Sequence, residues 1–166
     1  MSRGFVNEDD QEEIPILTPR ADLPKGVTNY VTQAGWDELM NEQQMLIDEK
    51  EQLDSVNEDE NRIATNHINA KLNLLNDRIA TAKIVDLSQQ PQNEVRFGAT
   101  ITFKINNAPK LHHYQIVGVD EADLAKGKIS FISPIAKVLT AKKVGDKAIL
   151  KLAHEERVFE VVAISY

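Results

Sequence analysis

The chain has 166 residues, enough for one domain or two small ones joined end to end; 42% are apolar but only 5% aromatic, so the core must be mainly aliphatic. It contains no cysteine, which excludes disulfides and thiolate metal sites and fits a reducing compartment. Of the net charge of −7, residues 37–60 carry ten acids against one base, Lys50, so this half repels phosphate and is excluded as a nucleic-acid-binding surface.

No apolar run approaches the roughly 18 residues of a membrane span. The start of the chain shows no apolar stretch after basic residues, so no secretory signal is expected and the cytoplasm is the expected location. Residues 1–28 read as a tail. Pro15, Pro19 and Pro24 disfavour helix and sheet, and the acidic run from Glu8 to Glu13 discourages collapse, so disorder or an extended arm is expected. The short apolar patch Ile14-Pro15-Ile16-Leu17 is either a docking spot or simply a sticky stretch of the linker.

The span 29–86 reads as a helical hairpin. Thr32 offers a capping hydroxyl ahead of a periodic run, Trp36, Leu39, Met40, Leu46, Ile47 and Leu53, which Gln43 and Lys50 interrupt. The second helix carries Ile68, Leu72, Leu75, Ile79 and Ala82 at the spacing of a coiled-coil seam. Between them lies an acidic turn, Asp54-Ser55-Val56-Asn57-Glu58-Asp59-Glu60-Asn61, short enough for antiparallel neighbours. Carboxylates at the tip of such an arm cannot serve a pocket of their own domain. They can be delivered into another protein. The plain alternative is that the acidic first helix pairs with the second, which has four bases and one acid between Arg62 and Lys83.

Ser88 to Asn93 is a polar stretch with a helix-breaking proline, so residues 87–93 read as a linker. From residue 94 the pattern changes to strand. Val95, Phe97, Ala99, Ile101, Phe103 and Ile105 alternate with polar residues, and Asn106-Asn107-Ala108-Pro109 turns the chain into a second strand, Leu111 to Val119. Further strands are expected at 128–132, 147–152 and 157–166. Pro134 to Lys142 reads as a short helix capped by Ser133. The class is α+β: a helical hairpin, then a small antiparallel sheet domain with one short helix.

Several motifs of this second half resemble one family. Phe97-Gly98-Ala99, Ile116-Val117-Gly118 with Asp120-Glu121-Ala122-Asp123, Ile129-Ser130 with Ser133-Pro134-Ile135-Ala136-Lys137, and Phe159-Glu160-Val161 are similar in order and spacing to the bacterial GreA/GreB transcript-cleavage factors. The junction Ala82-Lys83-Ile84-Val85-Asp86 and the helix start Thr32, Gly35, Leu39 extend the resemblance to about residue 30. It implies that 94–166 is an FK506-binding-protein-like domain docking at the rim of RNA polymerase's secondary channel, through Asp120, Glu121, Ser133, Pro134, Ile135 and Lys137. It also implies that the hairpin carries acids, here Glu58, Asp59 and Glu60, into the polymerase active site. There Glu60 and Asp59 help hold the second Mg2+ for hydrolysis of backtracked RNA. The chain would then be a cofactor protein with no cofactor of its own and no catalytic centre. It would act as a monomer, with RNA polymerase as partner and the nascent RNA contacted only indirectly.

Two departures from the family pattern stand out. The tip pattern Asp-x-x-Glu-Asn is matched by Asn57-Glu58-Asp59-Glu60-Asn61, with an amide in place of the leading acid, and the first helix is about ten residues short, roughly 15 Å at helical rise. The tail has no counterpart. These departures point to the runner-up reading, a polymerase-binding regulator or inhibitor without cleavage activity.

Other chemistry is weakly supported. His112 and His113 are adjacent in a strand and face opposite ways, so they cannot chelate one ion, and His67 and His154 are far off. Ser133 lacks the glycines of a nucleophile elbow and is expected to cap. Prolyl isomerase activity rests on fold analogy without a defined aromatic pocket. A plain protein-interaction module is the remaining alternative, and Lys142, Lys143 and Lys147 form a basic patch or simply a solvated surface.

Overall fold

The computed structural model describes residues 16–54 and 58–166, with the backbone alone for residues 54 and 58–60. The chain forms two compact units. One is built from Leu39–Ala80 together with residues 16–20, the other from Ala21–Glu38 and Thr81–Tyr166. These spans differ from the linear division at 28, 86 and 93, because the root of the hairpin packs with the sheet rather than with the rest of the arm.

Helix α1 spans Gln33–Asp54 and α2 spans Glu58–Thr81. At 1.5 Å per residue they are about 33 and 36 Å long. Thr32 caps α1 as expected: the Gly35 amide donates to its Oγ1 at 2.9 Å. The seam narrows to Leu39 and Leu46 on one helix and Ile68 and Leu75 on the other, all buried, while Trp36, Ile47, Leu53, Leu72 and Ile79 are half-buried and Met40 is exposed. Both buried pairs are seven residues apart, the repeat that keeps a seam facing its partner. Each such side chain contributes about 1.5–3 kcal/mol by leaving water. Gln43, which interrupts the sequence pattern, is used across the seam: its Nε2 donates to Asn76 Oδ1 at 2.7 Å.

The acids of the expected turn lie differently. Glu58, Asp59, Glu60 and Asn61 form the first turn of α2 rather than a loop, and Ser55, Val56 and Asn57 fall outside the described residues. The reason is a helix-dipole preference for negative residues at an N-terminus. Of the tail, residues 1–15 fall outside the described residues. Ile16 is 94% exposed and Leu17 half-buried, and Arg20 forks onto Glu42 with contacts of 2.7 and 3.1 Å.

In the second unit, strands β1 (Tyr30–Val31) and β2 (Lys83–Ile84) pair in parallel, a two-residue ladder too short to read from sequence. A 3-10 turn at Leu87–Gln89 follows. The main sheet comprises β3 (Thr100–Ile105), β4 (His112–Val117), β5 (Lys128–Ser130), β6 (Lys147–Lys151) and β7 (Glu156–Ser165), in the order β5-β4-β3-β7-β6. Asn106 and Asn107 turn the chain at positive φ, which asparagine tolerates well.

The fold class is the expected one, with a refinement: β4 and β5 pair in parallel, so the sheet is mixed. The connection through residues 118–127, with its own 3-10 turn at Leu124–Lys126, is a crossover rather than a hairpin. Helix α3 (Pro134–Leu139) is shorter than the expected 134–142, and Ser133 caps it by accepting from Ala136 N at 3.3 Å. The core is aliphatic with Phe103 and Phe159 at its centre, and buries Val95, Ala99, Ile101, Ile116, Leu139 and Val161. Tyr30, Phe97 and Phe131 form a second aromatic group, with centroids 5.6–5.8 Å apart.

Candidate functional site

The acidic turn of α2 is the first candidate. Its backbone places three consecutive carboxylate residues, Glu58, Asp59 and Glu60, where the chain enters α2. Carboxylate oxygens are the donors a hard divalent cation takes, so the donor chemistry fits Mg2+. Asn61, the next residue, is half-buried, and its Nδ2 donates to Leu53 O in the last turn of α1 at 2.5 Å. The sequence pattern marked Asn61 as a family residue but gave no hint of this bond.

The second candidate is the end of the sheet where the parallel pair β4–β5 leads out. Val117 lies opposite Ser130, so the loop carrying Asp120 and Glu121 and the loop carrying Ser133 and Pro134 leave the same end of neighbouring strands. That juxtaposition depends on the parallel pairing.

The six residues of the resemblance then divide. Ser133 caps α3, and Ile135 packs against the core. Glu121 is buried, accepting from Thr32 Oγ1 at 2.6 Å and meeting Lys128 Nζ at 3.4 Å. Pro134 and Lys137 are exposed and Asp120 is half-buried.

Glu121 thus closes a joint. Thr32 Oγ1 accepts from Gly35 N and donates to Glu121, and a Cβ on Gly35 would lie 2.5 Å from Glu121 Oε2. Gly118 serves the same packing: a Cβ there would meet Tyr30 O at 2.6 Å. Beside the joint lies a cleft of about 560 Å³ bordered by Gln33, Ile84, Asp86 and Lys128. Ser88 donates to Asp86 from both hydroxyl (2.6 Å) and amide (3.0 Å), which holds that carboxyl below its usual range. Thr32 and Lys128 were missed as partners of Glu121. Thr32 lies 89 residues from Glu121 and is fully accounted for as a cap, while Lys128 is only seven residues away but across the turn between β4 and β5.

The histidines behave as expected from alternation. His112 stacks on Phe103, with centroids 5.6 Å apart, while His113 is exposed and shares a 2.9 Å hydrogen bond with Thr102 Oγ1. Among the described residues, no three His, Asp or Glu side chains gather to hold a metal ion, and no helix is long and apolar enough to cross a membrane.

Residues 90–166 match the family model described as "Transcription elongation factor, GreA/GreB, C-term". The transcription elongation factor GreA of Hyphomonas neptunium is 39% identical over 99 residues, which are 60% of this chain and 63% of that protein. GreA of Sinorhizobium medicae is 34% identical over 103 residues, 62% and 65% of the two chains. The chain thus spans a little under two thirds of the length of these curated relatives. Among solved structures, GreA factor homolog 1 (Gfh1) of Thermus thermophilus aligns with 84% of this chain and 100% of its own, at 22% identity and a TM-score of 0.39. Residues 90–166 are thus identified as a domain similar to the C-terminal domain of the GreA/GreB transcription elongation factors.

Proposed function

We propose that the protein binds RNA polymerase at its secondary channel and lends the carboxylates of the α2 first turn to the polymerase active site, stimulating cleavage of backtracked RNA. The observation that carries this reading is the placement of Glu58, Asp59 and Glu60 at the start of α2, directly after the end of α1. Glu60 and Asp59 would share a Mg2+ that the polymerase binds weakly alone; the ion supplies Lewis-acid activation for phosphodiester hydrolysis. Docking falls to the second unit, with Pro134 and Lys137 as its exposed members and Asp120 half-buried beside them. On this reading the chain acts as a cofactor protein to the polymerase, in the cytoplasm and as a monomer on the elongation complex.

The test is RNA cleavage in a stalled, backtracked elongation complex. Glu60→Gln and Asp59→Asn should abolish stimulation while polymerase binding persists. Full stimulation by both variants would remove these acids from the mechanism. A second reading has its own support, because Asn57 replaces the family's leading acid. On that reading the wild-type protein binds polymerase and slows or blocks cleavage.

A further inference from the structure

We infer that Asn61 is a positioning residue of the tip, a brace that ties the end of α1 to the start of α2 and so fixes the backbone from which the lent carboxylates project. The inference rests on the cleavage reading for its functional consequence, but its structural content stands on one bond. The last four carbonyls of an α-helix lack intrahelical donors, and α1 ends at Asp54, so Leu53 O is one of them. Asn61 Nδ2 fills that vacancy at 2.5 Å, eight residues along the chain. A carbonyl only accepts, so the amide must present its NH2 group there; the opposite flip would set two acceptors face to face. Asn61 is half-buried, so water competes poorly for the bond.

The consequence is local and directional. Asn61 directly follows Glu60, so the residue next to the strongest candidate metal donor is anchored to the other helix. Without the anchor, the first turn of α2 frays independently of α1, as helix ends do. A reacting centre tolerates little misplacement, since displacements of about 1 Å cost on the order of a hundredfold in rate.

Asn61→Asp separates this role from metal ligation. Aspartate keeps the side-chain oxygen, and adds charge, but cannot donate to Leu53 O. A metal-ligand role predicts equal or greater cleavage in this variant, whereas the brace predicts loss. We expect Asn61→Asp and Asn61→Ala to lower the maximal stimulated cleavage rate about tenfold or more while leaving the half-saturating concentration of factor unchanged. A general defect of the arm would raise that concentration too. The second measurement is amide hydrogen exchange in the full-length protein without polymerase. Both variants should speed exchange at the last turn of α1 and first turn of α2 by about fivefold, the equivalent of about 1 kcal/mol.

Wild-type cleavage by Asn61→Asp overturns the positioning role. Unchanged exchange in both variants overturns the brace itself. If the wild-type protein stimulates no cleavage, the lending proposal fails, and the exchange result alone decides the brace.

Discussion

Replacing Thr32 by valine should weaken the second unit by more than the loss of a helix cap alone. The substitution keeps shape and branching, so it leaves no cavity, but it removes one hydroxyl with two duties. That hydroxyl accepts from Gly35 N at 2.9 Å, a helix cap whose loss costs about 1 kcal/mol. It also donates to buried Glu121 at 2.6 Å, and a hydrogen bond to a charged group contributes about 1.5–3 kcal/mol. Lys128, 3.4 Å away, still offsets part of the carboxylate's charge, which favours the lower end of that range. The expected loss is therefore about 2.5–3 kcal/mol. Trp36, the only tryptophan, sits one helical turn along and reports this region by fluorescence. With a urea dependence of about 1–3 kcal/mol per molar, the unfolding midpoint should fall by roughly 1–3 M. Thr32→Ser retains the hydroxyl and should stay within about 1 kcal/mol of wild type. The Glu121→Gln change should cost less in the valine background than alone, because the partners are coupled. A loss below about 0.5 kcal/mol in Thr32→Val would refute the claim that this hydroxyl holds the joint.

Leu75 is fully buried, so Leu75→Ala should destabilise the hairpin by about 2–5 kcal/mol, read from helical circular dichroism in urea; a cost under about 1 kcal/mol would mean the seam collapses around the gap. Arg20 and Glu42 are 19% and 43% exposed, which limits their pair to about 0.5–1 kcal/mol of coupling in a double-mutant cycle. Zero coupling would show that the fork does not hold Arg20 on the arm. Tyr166 donates to Glu94 O and accepts from Arg96 N at 2.8 Å, and burial raises its phenol above the usual range near 10. Its folded-state proton is held more tightly than the unfolded one. The contribution is therefore complete below about pH 10 and is lost as pH rises through the folded value. Stability measured from pH 8 to 11 should fall more steeply in wild type than in Tyr166→Phe, and parallel curves would contradict this.

Local chemistry was legible wherever a residue and its partner lie close in the chain. Thr32 and Gly35, Ser133 and Ala136, the Asn106-Asn107 turn and the alternation through β3 all express short-range rules. What the sequence concealed is long-range. Glu121 sits in an acidic loop that looks solvated, and only its distant partner Thr32 explains its burial. Gln43 looked like a flaw in the stripe until Asn76 was found across the seam. The parallel pairing of β4 and β5 was hidden because alternation specifies faces but not strand direction. At the tip, the acids were visible as composition, but whether they stood in a loop or a helix turned on where α2 nucleates.

The buried positions Leu39 and Leu46, and Ile68 and Leu75, repeat every seven residues, while both roots of the arm are held in the second unit by their own contacts. Arm length is therefore a quantity that can change in discrete steps. Inserting or deleting one heptad in each helix moves the tip by about 10 Å and returns every seam residue to its partner, with the sheet domain untouched. A scaffold of this kind lets the reach of the arm vary without any repacking of the sheet, so its span can evolve as a ruler independent of its anchor.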